Sequence, residues 1–338
     1  MTALTTAPFL AGAGRVEHRP RSYPGPGPGQ LLVRPRANAL CGSDAGLWRG
    51  GSPVVAGHEA AGTVVAAGRD TTTPVGTRGV IYLMAYCGRC RSCRAGATNL
   101  CLDKAGDMGF NRDGGLGPLE VVEERMFFPI GDDLPFPLAT MLLDVMGTSG
   151  AALNRALSVR PGIESLLITG AGPVGLGVLA VARLRLGADV PIHISDVSEW
   201  RLAFAESLGG IPVHARSVSS RVAGVPEVDA AVDASGRAGA RRSALDRLSR
   251  RGVLVCVGHG EQLHLDVSPD LISTGRAVLG SEYFPYADLP AALELLRRNT
   301  GYLGRIVTHT FDVSETGLAF ETFLSGESGK VVVTQDGE

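Results

Sequence analysis

Lysine is almost missing from this 338-residue sequence, occurring only at Lys104 and Lys330, and no long block of like charge appears. Arginine carries the positive side of a net charge of −2, with a sequence pI near 6.4. Scarce lysine beside abundant arginine marks a GC-rich coding sequence and carries no function. The charge balance provides no basic footprint for nucleic acid, and the lack of like-charge runs argues against a charged interaction tail. Nor is there a run of roughly eighteen apolar residues, or a basic start followed by an apolar stretch, so no membrane span and no secretory leader are expected. The expected setting is the cytoplasm, and the expected partners are small molecules rather than nucleic acid or membrane. No internal repeat or low-complexity tract is present.

The length fits two domains, each large enough to bury a core. Up to about Gly147 the chain is rich in Gly and Pro. Its short β-branched runs, Leu31 to Val33, Gly62 to Ala66, Val80 to Leu83 and Val121 to Val122, predict a mostly β domain. Pro24 to Gln30 reads as a turn-rich connector. From Ala151 short apolar strands alternate with helical periodicity, which predicts a parallel sheet. The strands are placed at Leu166 to Thr169, Ile192 to Ser195, Val228 to Asp233, Val253 to Val257 and Val278 to Leu279, with a weak sixth near Val213. Helices are expected at Val174 to Leu186, Arg201 to Leu208 and Ala240 to Leu248. After Phe284 come a helix, Leu289 to Arg298, and a β run, Lys330 to Thr334, without clear membership.

Directly after the strand at Leu166 stands Gly170-Ala171-Gly172-Pro173-Val174-Gly175, opening a helix. This is GxGxxG in the context that dinucleotide binding requires: Gly170 for the tight turn, Gly172 for backbone approach to a pyrophosphate, Gly175 for close helix packing. An acidic residue is expected about 20 positions later, on the ribose hydroxyls. Asp196 fills that place and would repel a 2′-phosphate, favouring NAD over NADP, although Arg201 one turn on softens the preference. A glycine turn that binds nothing is the plain alternative; strand, helix and Asp196 together weigh against it.

Of six cysteines, Cys87, Cys90, Cys93 and Cys101 are separated by two, two and seven residues. In a reducing compartment that crowding reads as metal, and four thiolates close a tetrahedron around Zn²⁺ with no open position, a structural site. An iron–sulfur cluster and a zinc-ribbon nucleic-acid module are the competing readings. Ahead of it lie Cys41-Gly42-Ser43-Asp44 and Gly57-His58-Glu59. A catalytic zinc needs about three protein ligands and one open position, and Cys41 and His58 supply two. Taken singly, a buried Cys or a structural His is commoner than a ligand.

In combination these residues resemble a zinc-containing member of the medium-chain dehydrogenase/reductase superfamily, which includes alcohol, sorbitol and threonine dehydrogenases. The likeness covers nearly the whole chain. It is carried by CGSD at Cys41, GHE at Gly57, the four-cysteine lobe, DGG at Asp113, GAGPVG at Gly170, Asp196 and GKVVV at Gly329. The resemblance implies an α/β fold: a GroES-like, mostly β catalytic domain over residues 1–147 with a structural zinc lobe at 86–102, a doubly wound parallel-sheet Rossmann domain over 148–283, and a return to the catalytic domain over 284–338. It implies two Zn²⁺ per chain and NAD. Cys41 and His58 would hold the catalytic zinc, with Glu59 behind as alternate ligand, Asp44 orienting His58 and Ser43 passing the alcohol proton towards solvent. The third ligand falls in LLDVMGTSG, where Asp144 matches best. Being one methylene shorter than glutamate, it reaches the metal directly or through water. Lys330 resembles a pyrophosphate contact. Gly258 and His259, at the end of a strand, belong beside the nicotinamide. Trp48, Phe110, Glu282 and Tyr283 are candidate pocket residues, Trp48 and Phe110 reading equally well as core. The sequence departs from the family where Gly117, Pro118 and Leu119 replace an Ala-Glu-Tyr run.

The implied reaction is hydride transfer between NAD(H) and a secondary alcohol or ketone of a polyol, sugar or cyclitol. Simple alcohols and aldehydes form the alternative substrate class, and a catalytically silent zinc- and nucleotide-binding protein the alternative of another kind. A homodimer or homotetramer is implied.

Overall fold

A computed structural model describes residues 3–215 and 226–335. The chain divides into two units, Met1–Leu143 with Pro285–Glu338, and Asp144–Phe284. The first crossing therefore falls earlier than Gly147, inside a helical run.

The first unit carries β1 (Ala3–Gly12), β2 (Arg15–Tyr23), β3 (Gln30–Ala39), β4 (Glu59–Ala67), β5 (Arg78–Ile81), β6 (Met84–Ala85), β7 (Gly106–Asp107), β8 (Glu120–Glu123) and β9 (Phe127–Pro129). Strands β1 and β2 form an antiparallel hairpin that the sequence reading did not place. Its turn works because Ala13 and Gly14 both take left-handed φ values, 50° and 71°. The signal was hidden because β2, RVEHRPRSY, is mostly exposed and shows no apolar alternation.

The second unit is a six-stranded, fully parallel sheet: β10 (Leu166–Thr169), β11 (Ile192–Asp196), β12 (Ile211–His214), β13 (Val228–Asp233), β14 (Leu248–Cys256) and β15 (Ala277–Gly280). Their order is β12-β11-β10-β13-β14-β15, the doubly wound arrangement, so the strand order reverses between β10 and β13. Strand β10 is buried throughout, and LLIT accordingly reads as a continuous apolar run. The helix expected to reach Leu248 ends at Asp246, because Leu248 already begins β14 and pairs with Val228.

The segment after Phe284 rejoins the first unit. It adds the helix Leu289–Arg298, β16 (Val307–Asp312) and β17 (Lys330–Thr334), and β17 lies between β16 and β3 in a seven-stranded sheet. Arg297 on that helix pairs with Asp133 at 2.7 Å. Among the described residues one helical run, Phe136–Val159, is long and apolar enough to span a bilayer, but 78% of its most apolar window is buried within the fold, as befits a core helix.

Glu120 on β8 is an anomaly in this sheet. It is buried, and neither carboxyl oxygen has a hydrogen-bond partner among the described residues. Burial pushes its pKa well up, Arg112 opposes that weakly, and Asp113 adds to it. A carboxyl raised in the folded state contributes stability below its unfolded pKa and loses it as pH climbs through the folded value. Glu120→Gln should therefore match the wild type near pH 4.5 and exceed it progressively towards pH 8, by about 1–3 kcal/mol. Thermal melts across that range check this; parallel curves for the two proteins would show that Glu120 keeps its unfolded-state pKa in the fold.

Candidate metal centre and cofactor site

Cys41 and His58 stand 17 positions apart in sequence, yet the sheet brings them together. Strands β3 and β4 pair antiparallel with Ala39 opposite Glu59, so the residue two beyond the end of β3 and the one just before β4 emerge side by side. Strand β17 supports this end of β3, its Val331 carbonyl accepting from the Leu40 N–H at 2.9 Å. The approach to His58 needs glycine: Gly57 has φ +98°, and a Cβ there would lie 2.7 Å from the Asn38 side chain. The DGG turn clasps the same segment. Asp113 Oδ1 accepts from the Val55 N–H at 3.1 Å, and the N–H groups of Gly114 and Gly115 donate to the carbonyls of Val55 and Gly57 at 2.8 Å.

Asp44 opens the helix Asp44–Gly50 and faces both candidate ligands. Its Oδ2 accepts from the Cys41 N–H at 2.9 Å, and its Oδ1 lies 3.2 Å from His58 Nδ1, with both side chains buried. A carboxylate on one ring nitrogen fixes the imidazole's orientation and leaves the other nitrogen for a metal. Ser43 is exposed beside Cys41, at the start of the helix.

Asp144 sits in a π-helical turn, Leu143–Thr148, a local widening often found at functional sites. Its Oδ1 accepts from Thr148 Oγ1 at 2.8 Å. The peptide bond to Leu143 ties it directly to the first unit. Glu59 is fully buried, and Lys330 Nζ donates to its Oε1. Donor atoms of Cys41, His58, Glu59 and Asp144 all lie within 4.8 Å of one another, and all four residues are buried. Sulfur, nitrogen and carboxylate oxygen in one buried cluster is a donor set that suits zinc.

Cys87, Cys90, Cys93 and Cys101 form a second cluster of the same compactness. Zn–S bonds of ~2.3 Å in a tetrahedron separate sulfurs by ~3.8 Å; Cys90 and Cys101 Sγ are 4.0 Å apart. Backbone N–H groups point at these sulfurs, including Cys87 to Cys101 at 3.2 Å and Leu102 to Cys90 at 3.4 Å. Such donors, from Cys93 and Leu102, hold the Cys90 thiol down to about 6, and the Arg89 N–H lowers Cys87. Burial and the neighbouring thiols push Cys93 the other way, up to about 12. Crowded thiolates oppose one another's ionisation, an opposition that a dication relieves.

In the second unit the glycine loop has the shape its sequence requires. Gly170 has φ +93°, and a Cβ on Gly175 would lie 1.8 Å from the Gly170 carbonyl oxygen, so the helix Pro173–Leu186 packs tightly on the turn. A Cβ on Gly172 would meet no protein atom within 4 Å, so that face of the loop is open. Pro173 and Val174 form the first turn of the helix, whose N-terminus favours anions. Asp196 closes β11. Its Oδ2 accepts from the Ala171 N–H at 2.7 Å and its Oδ1 from those of Val197 and Ser198 at 2.8 and 2.9 Å. Three of roughly four acceptor positions are thus used, leaving one for a ligand hydroxyl. Arg201 lies close by; burial lowers its pKa while Asp196 opposes the shift.

The alcohol dehydrogenase GroES-like domain matches residues 27–132, and the zinc-binding dehydrogenase domain matches residues 173–298. The L-threonine 3-dehydrogenase of Shewanella woodyi is 31% identical over 329 residues, covering 92% of this chain and 93% of that protein. The chain belongs to the zinc-containing medium-chain dehydrogenases. Alcohol dehydrogenase TADH from Thermus sp. ATN1 shares the fold at a TM-score of 0.86 and 27% identity, over 98% of this chain and 99% of that one. A putative zinc-binding dehydrogenase from Sinorhizobium meliloti 1021, solved with NADP, does so at 0.83 and 26%, over 98% and 99%. The first unit of this medium-chain dehydrogenase is the GroES-like β domain, and the second is a Rossmann-type parallel sheet.

One expected site residue of the dehydrogenase, Lys330, needs correcting, and Trp48 takes the second of the two readings left open for it. Trp48 is core: its ring stacks on Phe320 at 4.8 Å within an apolar cluster that includes Phe9, Leu40 and Val331. Lys330 lies with its ammonium fully buried against Glu59, where it neutralises a carboxylate of the four-residue cluster, and so is not displayed for a pyrophosphate. Phe110 does approach the centre, its ring 5.1 Å from that of His58. His259 is largely exposed and pairs with Glu282 at 3.0 Å, while Tyr283 holds a left-handed φ of 40°. Sequence reasoning missed Asp233 and Arg241, a buried pair at 2.8 Å beneath Gly258.

Proposed function

We propose that this dehydrogenase transfers hydride reversibly between NAD(H) and a secondary alcohol or its ketone, carried on a polyol, sugar or cyclitol. The observation that carries the reading is the convergence of Cys41, His58, Glu59 and Asp144 in one buried cluster, with Asp44 behind His58. Cys41, His58 and Asp144 would hold the catalytic zinc, with Glu59, neutralised by Lys330, as the alternate ligand. When bound, the metal supplies Lewis acidity that favours loss of the alcohol proton near neutral pH. Ser43, exposed beside Cys41, carries that proton towards solvent. The loop Gly170–Gly175 and the helix behind it bind the pyrophosphate, Asp196 accepts from the ribose hydroxyls, and Gly258 and His259 lie at the nicotinamide end. Phe110, with its ring 5.1 Å from that of His58, is a candidate substrate contact. The Cys87–Cys101 lobe holds a second, structural zinc.

The secondary alcohol is favoured by the threonine relative, whose name places oxidation at C3, a carbon bearing a secondary hydroxyl. The charge of Asp196 favours NAD over NADP, with Arg201 tempering the preference. A homodimer or homotetramer in the cytoplasm completes the reading. The likeness to the Thermus alcohol dehydrogenase supports a second reading, simple alcohols and aldehydes as substrates.

NADH formation across a panel of polyols, cyclitols, L-threonine and short primary alcohols tests both. Secondary polyols should exceed short primary alcohols in kcat/KM by at least about tenfold, a difference of ~1.4 kcal/mol. The reverse order establishes the second reading, and no NADH or NADPH from any alcohol, with two zincs bound, defeats both.

A further inference from the structure

Three loops meet at the carboxyl ends of the central strands β10, β13 and β14, where the sheet order reverses, and one buried ion pair joins them. Asp233 ends β13 and is fully buried. Its Oδ1 accepts from Thr169 Oγ1 at 2.8 Å, the residue immediately before the glycine loop, and from the N–H and Oγ of Ser235 at 3.0 and 2.6 Å. Its Oδ2 accepts from the Gly236 N–H at 3.2 Å and from Arg241 Nε at 2.8 Å. The rest of the Arg241 guanidinium reaches the third loop, its two terminal nitrogens donating to the carbonyls of Gly258 and Glu261.

The packing around this pair leaves no slack. A Cβ on Gly236 would lie 2.1 Å from the His259 carbonyl oxygen, and one on Gly258 would lie 2.5 Å from the Gly236 N. The Gly258 N–H itself donates to the Asp233 carbonyl at 2.9 Å. A buried charge pair is weak evidence for stability, since desolvation offsets much of its attraction. What this one does is geometric: a planar fork reads two carbonyls of one loop while its carboxylate partner anchors the other loop through Thr169.

We infer that Asp233 and Arg241 are positioning residues for the cofactor, holding the Gly258–Glu261 loop at a fixed distance from the Gly170–Gly175 loop so that both ends of a dinucleotide are met at once. The inference rests on the NAD(H) reading above. Neither side chain touches the cofactor; both act through backbone they hold in place.

Arg241→Lys keeps a charge for Asp233 but loses the fork, so the carbonyls of Gly258 and Glu261 are no longer held together. On the full-length, zinc-loaded protein, NADH binding is followed by fluorescence titration and turnover by steady-state kinetics. NADH Kd and KM for NAD should rise together by about tenfold, while kcat and KM for the alcohol stay within about threefold. Thr169→Val, which cuts the other end of the link, should shift Kd for NADH in the same direction by about threefold, and it decides the matter should Arg241→Lys fail to fold. A lowered melting temperature with NADH Kd unchanged in the folded variants means the pair is merely structural and overturns the inference. Wild-type protein that binds neither NADH nor NADPH overturns the functional reading itself, and the inference with it.

Discussion

Replacing Cys41 with alanine should cut kcat/KM by at least about a thousandfold, ~4 kcal/mol of barrier, and lower the metal content from two zincs per chain to one. NADH binding should stay within about twofold. The two halves of this result come from different parts of the chain. Cys41 is buried, is fixed through its N–H on Asp44, and contributes the only sulfur of its four-residue cluster. Without the thiolate, imidazole and carboxylates remain, a weaker set for zinc under competition. The glycine loop, Asp196 and the Asp233–Arg241 pair all belong to Asp144–Phe284, whereas Cys41 belongs to the first unit. Metal analysis, NADH titration and kinetics on one preparation separate the possibilities. Full turnover in the variant would remove the metal mechanism, and loss of NADH binding alongside activity would point to general disruption.

The sequence exposed those parts of the site whose geometry is local. GAGPVG with Asp196 could be read because one strand, one turn and one helix build the loop, and the structure adds only that Asp196 hydrogen-bonds the Ala171 N–H. The cysteine lobe was legible for the same reason, since its four ligands lie within 15 residues, Cys87 to Cys101. Cys41 and His58 required the family likeness, because their meeting depends on the β3–β4 register, which no local pattern discloses. Residues joined across long stretches of chain were read wrongly, left open or not read at all. Lys330 meets Glu59 across a separation of 271 positions, and a basic residue near the C-terminus gave no hint that it would be buried. Trp48 turned into the core because helix Asp44–Gly50 presents it to Phe320 on a helix that returns near the end of the chain. Asp233 and Arg241 looked like ordinary strand and helix residues; only the close approach of Gly236 to His259 shows that they sit beneath a loop junction. Glu120 was hidden by an opposite difficulty, since a buried carboxyl without a partner breaks the rule by which strands are read.

The lobe should answer to mutation in the opposite sense from Cys41: Cys93→Ser loses one zinc and lowers the melting temperature by on the order of 10 °C, through a few kcal/mol of lost stability. Every residue from Cys87 to Cys101 is at least partly exposed, so the segment has no fully buried apolar core to hold its shape. Its backbone is organised instead around sulfur, with N–H groups of Cys87, Arg89, Cys90, Cys93, Leu102 and Asp103 all directed at cysteine Sγ atoms. Two contacts illustrate how it is tied to the rest of its unit. Thr98 Oγ1 accepts from the Tyr286 N–H at 2.8 Å, and the short β6–β7 pair closes its base. Tyr286 in turn packs against Tyr82 and Tyr86 and donates to the Phe127 carbonyl, so loosening the lobe reaches the return segment of the first unit. Limited proteolysis should cut the variant within residues 87–101 under conditions that leave the wild type whole. The molecules that keep the remaining zinc should retain wild-type KM values for both substrates. A stable, protease-resistant variant that has lost turnover alone would instead assign the cysteines to the chemistry, and the two clusters would have to exchange roles.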